Sequence, residues 1–264
     1  AAVRDADWAR LVPAAGADAF AKADLVLVAG DGALAAVALA TPPGVVLALI
    51  GPGGGSLGAR EADVVGLYLV PQSRLAEVIV GPATEAVAVA TVVALARKLG
   101  RVVVRAKAPG GIGTRVMAAG RAAAMHLAGA GYGQQEVARA LGEFGLVGLM
   151  GAVSGGKAAF GGKAGPDDAA IVARVMAAMA NEGARVVQSG LALRPLDVDL
   201  ALILGHGFPR WVGGPMHWAD QRSLLLLRRD LREWTEEAPE IWAVAPLIDG
   251  LISAGRGFGD LNAG

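Results

Sequence analysis

The feature that most constrains this chain is a change of period partway along it. Up to about residue 107, short runs rich in Val, Leu and Ile alternate with Ala-rich stretches; beyond that point apolar residues recur at helical spacing and no further β-rich run occurs. The runs are DLVLVAG (24–30), GVVLALIG (44–51), DVVGLYLV (63–70), AEVIVG (76–81) and RVVVRAK (101–107). Such continuous apolar strands, separated by helices, predict a mostly parallel sheet covered on both faces. Helices are expected at 32–41 and 84–99. The second has Pro82, Thr84 and Glu85 at its start and Arg97-Lys98 ahead of Gly100 at its end, charges that suit the helix dipole.

The later part predicts an all-α region. Helices are expected over 112–129, from Gln134, over 167–189 and over 223–237. In the last, Leu224, Leu227, Leu231 and Trp234 share one face, and Arg229, Asp230, Arg232 and Glu233 fill the remainder. An internal repeat runs through this region. Arg115-Val116-Met117-Ala118-Ala119 recurs as Arg174-Val175-Met176-Ala177-Ala178, and Gly131 recurs in register as Gly190. After a two-residue shift, Glu136-Val137 aligns with Asp197-Val198, and Ala140-Leu141 with Ala201-Leu202. Two copies of one helical unit follow. The expected organisation is an α/β domain over 1–105, a first helical repeat over 106–165 and a second over 166–264.

Composition removes several function classes. The chain has no cysteine, which excludes disulfide and zinc-thiolate chemistry. Its 24 basic and 24 acidic side chains cancel, leaving no electrostatic footprint for nucleic acid or an anionic membrane. Mean hydropathy is high at +0.50. Yet the most apolar region, Leu25 to Gly51, is cut by Gly30-Asp31-Gly32 and Pro42-Pro43-Gly44, well short of the about 20 uninterrupted residues a spanning helix needs. The start, AAVRDADWAR, has no apolar core of a signal peptide. A soluble, cytoplasmic protein is expected, beginning inside a longer product because no initiator Met is present.

Two glycine patterns invite a phosphate reading. Gly30-Asp31-Gly32-Ala33-Leu34-Ala35 reads G-x-G-x-x-A between a strand and a helix, where amide groups can hold a pyrophosphate. Gly53-Gly54-Gly55-Ser56-Leu57-Gly58 reads G-x-G-x-x-G with little helix after it. With 39 glycines in the chain such matches arise readily, and a turn at a strand end is the favoured reading of both. Of the three histidines, His126 falls in a small-residue helix, where packing is the default. His206 and His217 bracket Gly205 to Asp220, a Gly/Pro- and aromatic-rich segment expected to be a rigid packed loop with a structural role.

That segment, with two others, carries a resemblance. Asn181-Glu182-Gly183-Ala184-Arg185-Val186, the stretch Gly190 to Ala201 (GLALRPLDVDLA) and Gly207 to Met216 (GFPRWVGGPM) resemble the 3-hydroxyacyl-CoA dehydrogenase family, in particular the C-terminal part of fused β-oxidation multifunctional enzymes. Trp242, Ala245-Pro246-Leu247-Ile248 and Gly255-Arg256-Gly257-Phe258 look like that family's final helices. More weakly, the resemblance extends back to about Ala23. It implies a Rossmann-like domain that binds NAD, followed by tandem helical domains that close over an acyl-CoA. A His paired with a Glu would take the 3-hydroxyl proton while hydride passes to NAD, and a Ser and an Asn would position the substrate.

Carried over by residue, Tyr68 in Val65-Gly66-Leu67-Tyr68-Leu69-Val70-Pro71 stands at the His position, and Glu77 matches its partner. In Pro109-Gly110-Gly111-Ile112-Gly113-Thr114-Arg115, Thr114 replaces the Asn; Ser56 matches the Ser. Gly30, Gly32 and Arg115 are the candidate cofactor contacts. The family's first strand and glycine fingerprint would precede Ala1. A tyrosine titrates near pH 10 and an imidazole near pH 6.5, so the residue at position 68 is not a ready base at neutral pH. Two expectations follow: NAD-linked oxidation of 3-hydroxyacyl-CoA to 3-oxoacyl-CoA, or a non-catalytic acyl-CoA-binding or assembly module. Either would work as a homo-oligomer or as part of a larger multienzyme chain.

Overall fold

A computed structural model of the 264-residue chain describes residues 9–10, 12–14, 16–51, 58–107, 111–150 and 167–263. The five expected strands are all present, with ends within two residues of the sequence reading: β1 (Leu25–Ala29), β2 (Val46–Ile50), β3 (Val64–Leu69), β4 (Leu75–Ile79) and β5 (Val102–Ala106). They form one sheet in the order β1-β2-β3-β4-β5. Pairing is parallel except between β3 and β4, which are antiparallel. The cause is the short link Val70–Arg74, too brief for a crossover; it turns through Gln72 at φ 56°. Helix α1 (Leu34–Ala40) follows β1, and α2 (Ala86–Lys98) joins β4 to β5.

Alternation along the strands gives the sheet two different faces. On one, Val65, Leu67, Ala76 and Val78 meet Val89, Val92, Val93 and Ala96 of α2. The other face is shared. At the β1–β2 side, Val26, Val28, Leu47 and Leu49 pack on Leu34 and Ala38 of α1. At the β3–β5 side, Val70, Leu75, Val104 and Ala106 join the core of the helical part. Coverage is incomplete at the β1 edge, where Leu27 remains 54% exposed. The β5 edge is closed within the chain by an antiparallel bridge between Ala106 and Ala192.

The helical part comprises α3 (Gly111–Leu127), α4 (Gln134–Phe144), α5 (Asp168–Gln188), α6 (Pro195–Gly205), α7 (Pro215–Arg222), α8 (Leu224–Thr235), α9 (Pro239–Trp242) and α10 (Pro246–Ser253). Small residues set how closely its helices approach. A Cβ on Gly120 of α3 would lie 2.8 Å from Met179 Cγ of α5, and one on Gly183 would lie 2.4 Å from Met216 Sδ of α7. The stretch expected to be one packed loop, 205–220, differs from that reading. Pro215 opens α7 as its first residue, so the loop is confined to 206–214 with a single 3-10 turn at Arg210–Val212.

Candidate functional site

Strand register brings two of the candidate residues together. Tyr68 on β3 lies directly opposite Glu77 on β4, so both side chains leave the same face of the sheet, the one turned to the helical part. Tyr68 is half-buried against the helical core, whereas Glu77 is 1% exposed. The next rung on that face pairs Val70 with Leu75, and the Val70 N–H donates to the Leu75 carbonyl at 3.2 Å.

The helical part docks on this hairpin through the end of α6. A Cβ on Gly205 would stand 2.8 Å from Leu75 Cδ2 and 3.8 Å from Val70 Cγ1, so a larger residue there would have to displace the Leu75 side chain. The Ser73 hydroxyl donates to the Leu204 carbonyl and accepts from the Leu75 N–H at 2.9 Å. One residue further, the His206 ring lies on Gly113 in the first turn of α3: a Cβ there would be 2.2 Å from both Cδ2 and Nε2. Thr114, beside Gly113, is exposed. Burial pushes the His206 imidazole below its ordinary range.

The remaining candidates are placed elsewhere. Arg115 is tied to Glu182 of α5, its Nε donating at 2.9 Å, and Arg185 reaches the same carboxylate at 3.2 Å. Gly30 ends β1 at φ 86° and Gly32 lies in the 3-10 turn Asp31–Ala33. A Cβ on Gly30 or Gly32 would meet nothing within 4 Å, and the α1 that follows has only seven residues. Ser56 and the rest of the 53–57 glycine run lie outside the described residues. A cavity of about 290 Å³ lies between α7, α8 and the C-terminal segment, lined by Ser223, Leu225 and Arg256 among others, and includes none of the site residues above. Among the described residues no group of His, Asp and Glu could hold a metal ion, and no helix is long and apolar enough to cross a membrane.

The motifs that carried the resemblance are largely structural. Asn181, fully buried, donates to the Ala243 carbonyl at 2.8 Å and accepts from the Ala245 N–H at 2.8 Å, clamping the C-terminal segment to α5. Asp199 accepts from the N–H groups of Met216 and His217 at 2.9 and 3.1 Å, holding the first turn of α7. Asp220 accepts from Phe258 and Gly259 at 2.8 and 2.6 Å. His206, which sequence reasoning read as structural, lies where the sheet and the helical part meet. Its signal was present but split: a histidine in one motif and a glycine at 113 in another, 93 positions apart.

No family model matches the chain. Among curated proteins, it is 33% identical over 90 residues to the peroxisomal bifunctional enzyme of Danio rerio, covering 33% of this chain and 12% of that protein. It is 41% identical over 58 residues to the fatty acid oxidation complex subunit alpha of Psychrobacter arcticus, covering 22% and 8%. The matched stretches thus span about a tenth of the length of these relatives. Among solved structures, 3-hydroxybutyryl-CoA dehydrogenase from Escherichia coli superposes with a TM-score of 0.70 at 19% identity, over 94% of this chain and 85% of that one. The dehydrogenase part of multifunctional enzyme 1 from C. elegans gives 0.60 at 16% identity, over 89% and 73%. The fold is that of the 3-hydroxyacyl-CoA dehydrogenases, a Rossmann-like sheet domain followed by helices. The curated proteins it resembles over these stretches include multifunctional proteins of fatty-acid oxidation.

Proposed function

We propose that this protein is a 3-hydroxyacyl-CoA dehydrogenase-type protein of fatty-acid β-oxidation that takes an acyl-CoA where the β3–β4 hairpin meets the helical part. The observation that carries this reading is the Tyr68–Glu77 rung, two residues at the positions of the family's base and its partner, opposed on the face that receives the helices. Thr114 at the start of α3 is the third contact on this reading, and Ser56 a fourth. Tyr68 offers an acyl oxygen a phenolic hydrogen bond. Oxidation of 3-hydroxyacyl-CoA to 3-oxoacyl-CoA is the reaction implied, with NAD as oxidant by kinship alone and Gly30, Gly32 and Arg115 as its candidate contacts.

Two helical repeats, over 106–165 and 166–264, belong to this reading, as does membership of a longer multienzyme chain or a homo-oligomer. A cytoplasmic setting is part of the same proposal. Relatives bear peroxisomal and glyoxysomal names as well as bacterial ones.

A second reading is favoured by the phenol at position 68: a non-catalytic module that binds acyl-CoA or serves assembly. NADH production from 3-hydroxybutyryl-CoA, followed spectrophotometrically, separates the two. Turnover that disappears in Glu77→Ala supports the dehydrogenase. Calorimetric binding of acetoacetyl-CoA without turnover supports the binding module. Neither heat nor turnover removes acyl-CoA from the reading and leaves an assembly role.

A further inference from the structure

Of the three imidazoles, His206 alone sits where the sheet and the helical part meet. His126 stacks edge-on against Trp242 at 5.2 Å and lies 3.9 Å from Glu237. His217 is on α7, its ring against Gly213, where a Cβ would come within 2.6 Å of Cδ2. His206, by contrast, follows Gly205, which touches Leu75 and Val70, and its own ring occupies the space left by the absent side chain of Gly113. Leu75 and Val70 are one rung from Glu77 and Tyr68 on the same face, a step of about 7 Å along the strands. The glycine and the imidazole fit each other: Gly113 is a buried position within α3 at which any other residue would displace the ring.

We propose that His206 is an acyl-oxygen ligand of this site, its imidazole hydrogen-bonding the 3-oxygen of the bound acyl-CoA from the side opposite the Tyr68–Glu77 rung. The proposal rests on the acyl-CoA reading above. Two features support it. The ring makes no hydrogen bond or ion pair to other described residues, and with Cδ2 and Nε2 seated on Gly113 it is Nδ1 that is turned away from α3 and offered to a ligand. Partial burial also favours the neutral imidazole, which carries one N–H donor and one lone pair and can serve a carbonyl or a hydroxyl. Thr114, the next residue of α3, is exposed.

The test uses the full chain labelled for histidine ring NMR, with acetoacetyl-CoA as ligand and CoA alone as control; His206→Gln assigns the His206 signal among the three. Acetoacetyl-CoA is expected to shift the His206 signal and leave those of His126 and His217 in place, while CoA alone moves none of them. His206→Phe is expected to weaken acetoacetyl-CoA binding about tenfold by calorimetry, the scale of one hydrogen bond. His206→Gln, which keeps a donor and an acceptor, should recover part of that loss. Gly113→Ala, which pushes the ring off its seat, should weaken binding as His206→Phe does. A ring that only packs would not respond to ligand: binding with the His206 signal unmoved, or with affinity unchanged in His206→Phe, overturns the proposal and leaves the acyl-CoA reading standing. No binding to the unmodified protein overturns both.

Discussion

The carboxylate of Asp199 fills the space that a side chain on Gly214 would need, since a Cβ there would stand 2.2 Å from Oδ1 and 2.3 Å from Cγ. Gly214 is also at φ 103°, where side-chain-bearing residues are strained. Glycine is thus required twice over, by conformation and by contact. Through this fit Asp199 reaches the N–H groups of Met216 and His217 and fixes the start of α7, which packs on α5. Gly214→Ala is expected to cost more than about 3 kcal/mol, combining left-handed strain with loss of the buried cap. Urea denaturation measures it, and a loss below about 1 kcal/mol would contradict the fit.

Asp199 also gives the fold a pH dependence. Burial raises its carboxyl from 3.8 to about 7; the two N–H bonds oppose the rise and the nearby Asp220 charge adds to it. Between these values the folded chain holds a proton that the unfolded chain has released. Stability from this group is therefore complete below about pH 4, falls as pH rises towards 7, and is level above it. The comparison to make is unfolding free energy against pH for the native chain and for Asp199→Asn. The difference between the two curves should change across that window and flatten beyond it. Parallel curves would show that Asp199 does not titrate there.

Asn181 makes a prediction of similar size by another route. Its amide is fully buried and both ends are used, by the Ala243 carbonyl and the Ala245 N–H. Asn181→Ala leaves the Ala245 N–H without its partner, while Ala243 keeps a bond from Arg185. We expect a loss of about 2 kcal/mol in chemical denaturation. We also expect faster amide exchange at Ala245 than elsewhere in the helical part, and an unchanged rate would refute the clamp.

The Arg115–Glu182 pair should matter less. Arg115 is 46% exposed at its side chain and Glu182 14%, so solvent screens much of the attraction. Arg115→Ala is expected to cost about 0.5–1 kcal/mol. A double-mutant cycle with Glu182→Ala should return a coupling within that range. A coupling near zero would mean that the pair adds nothing to the packing of α3 on α5.

Much of the fold was legible before any coordinates. The five strands and the long helices lie where apolar periodicity and end signals put them, because those are local properties of the chain. The link Val70–Arg74 is short enough to signal a hairpin, and its antiparallel register then fixes Tyr68 opposite Glu77. What sequence reading could not assign was the work done by individual glycines. In a chain with 39 of them, turn chemistry is the natural expectation, and at Gly30 and Gly214 positive φ angles agree with it. Gly113, Gly120 and Gly183 are different: they lie inside helices, and a Cβ at each is excluded by His206, Met179 and Met216 across the core.

The excluded atoms belong to residues 33 to 93 positions away, so no local pattern announces them. The sequence alone determined the α/β-then-helical order, the exclusion of thiolate chemistry and the kinship carried by the C-terminal motifs. Tertiary structure decided that motif residues such as Asn181 and Asp199 serve as clamp and cap, and that the imidazole just after α6 lies on the first turn of α3. The physical reason is that periodicity and end signals act over a few residues, whereas a contact such as His206 on Gly113 exists only once the two parts have packed.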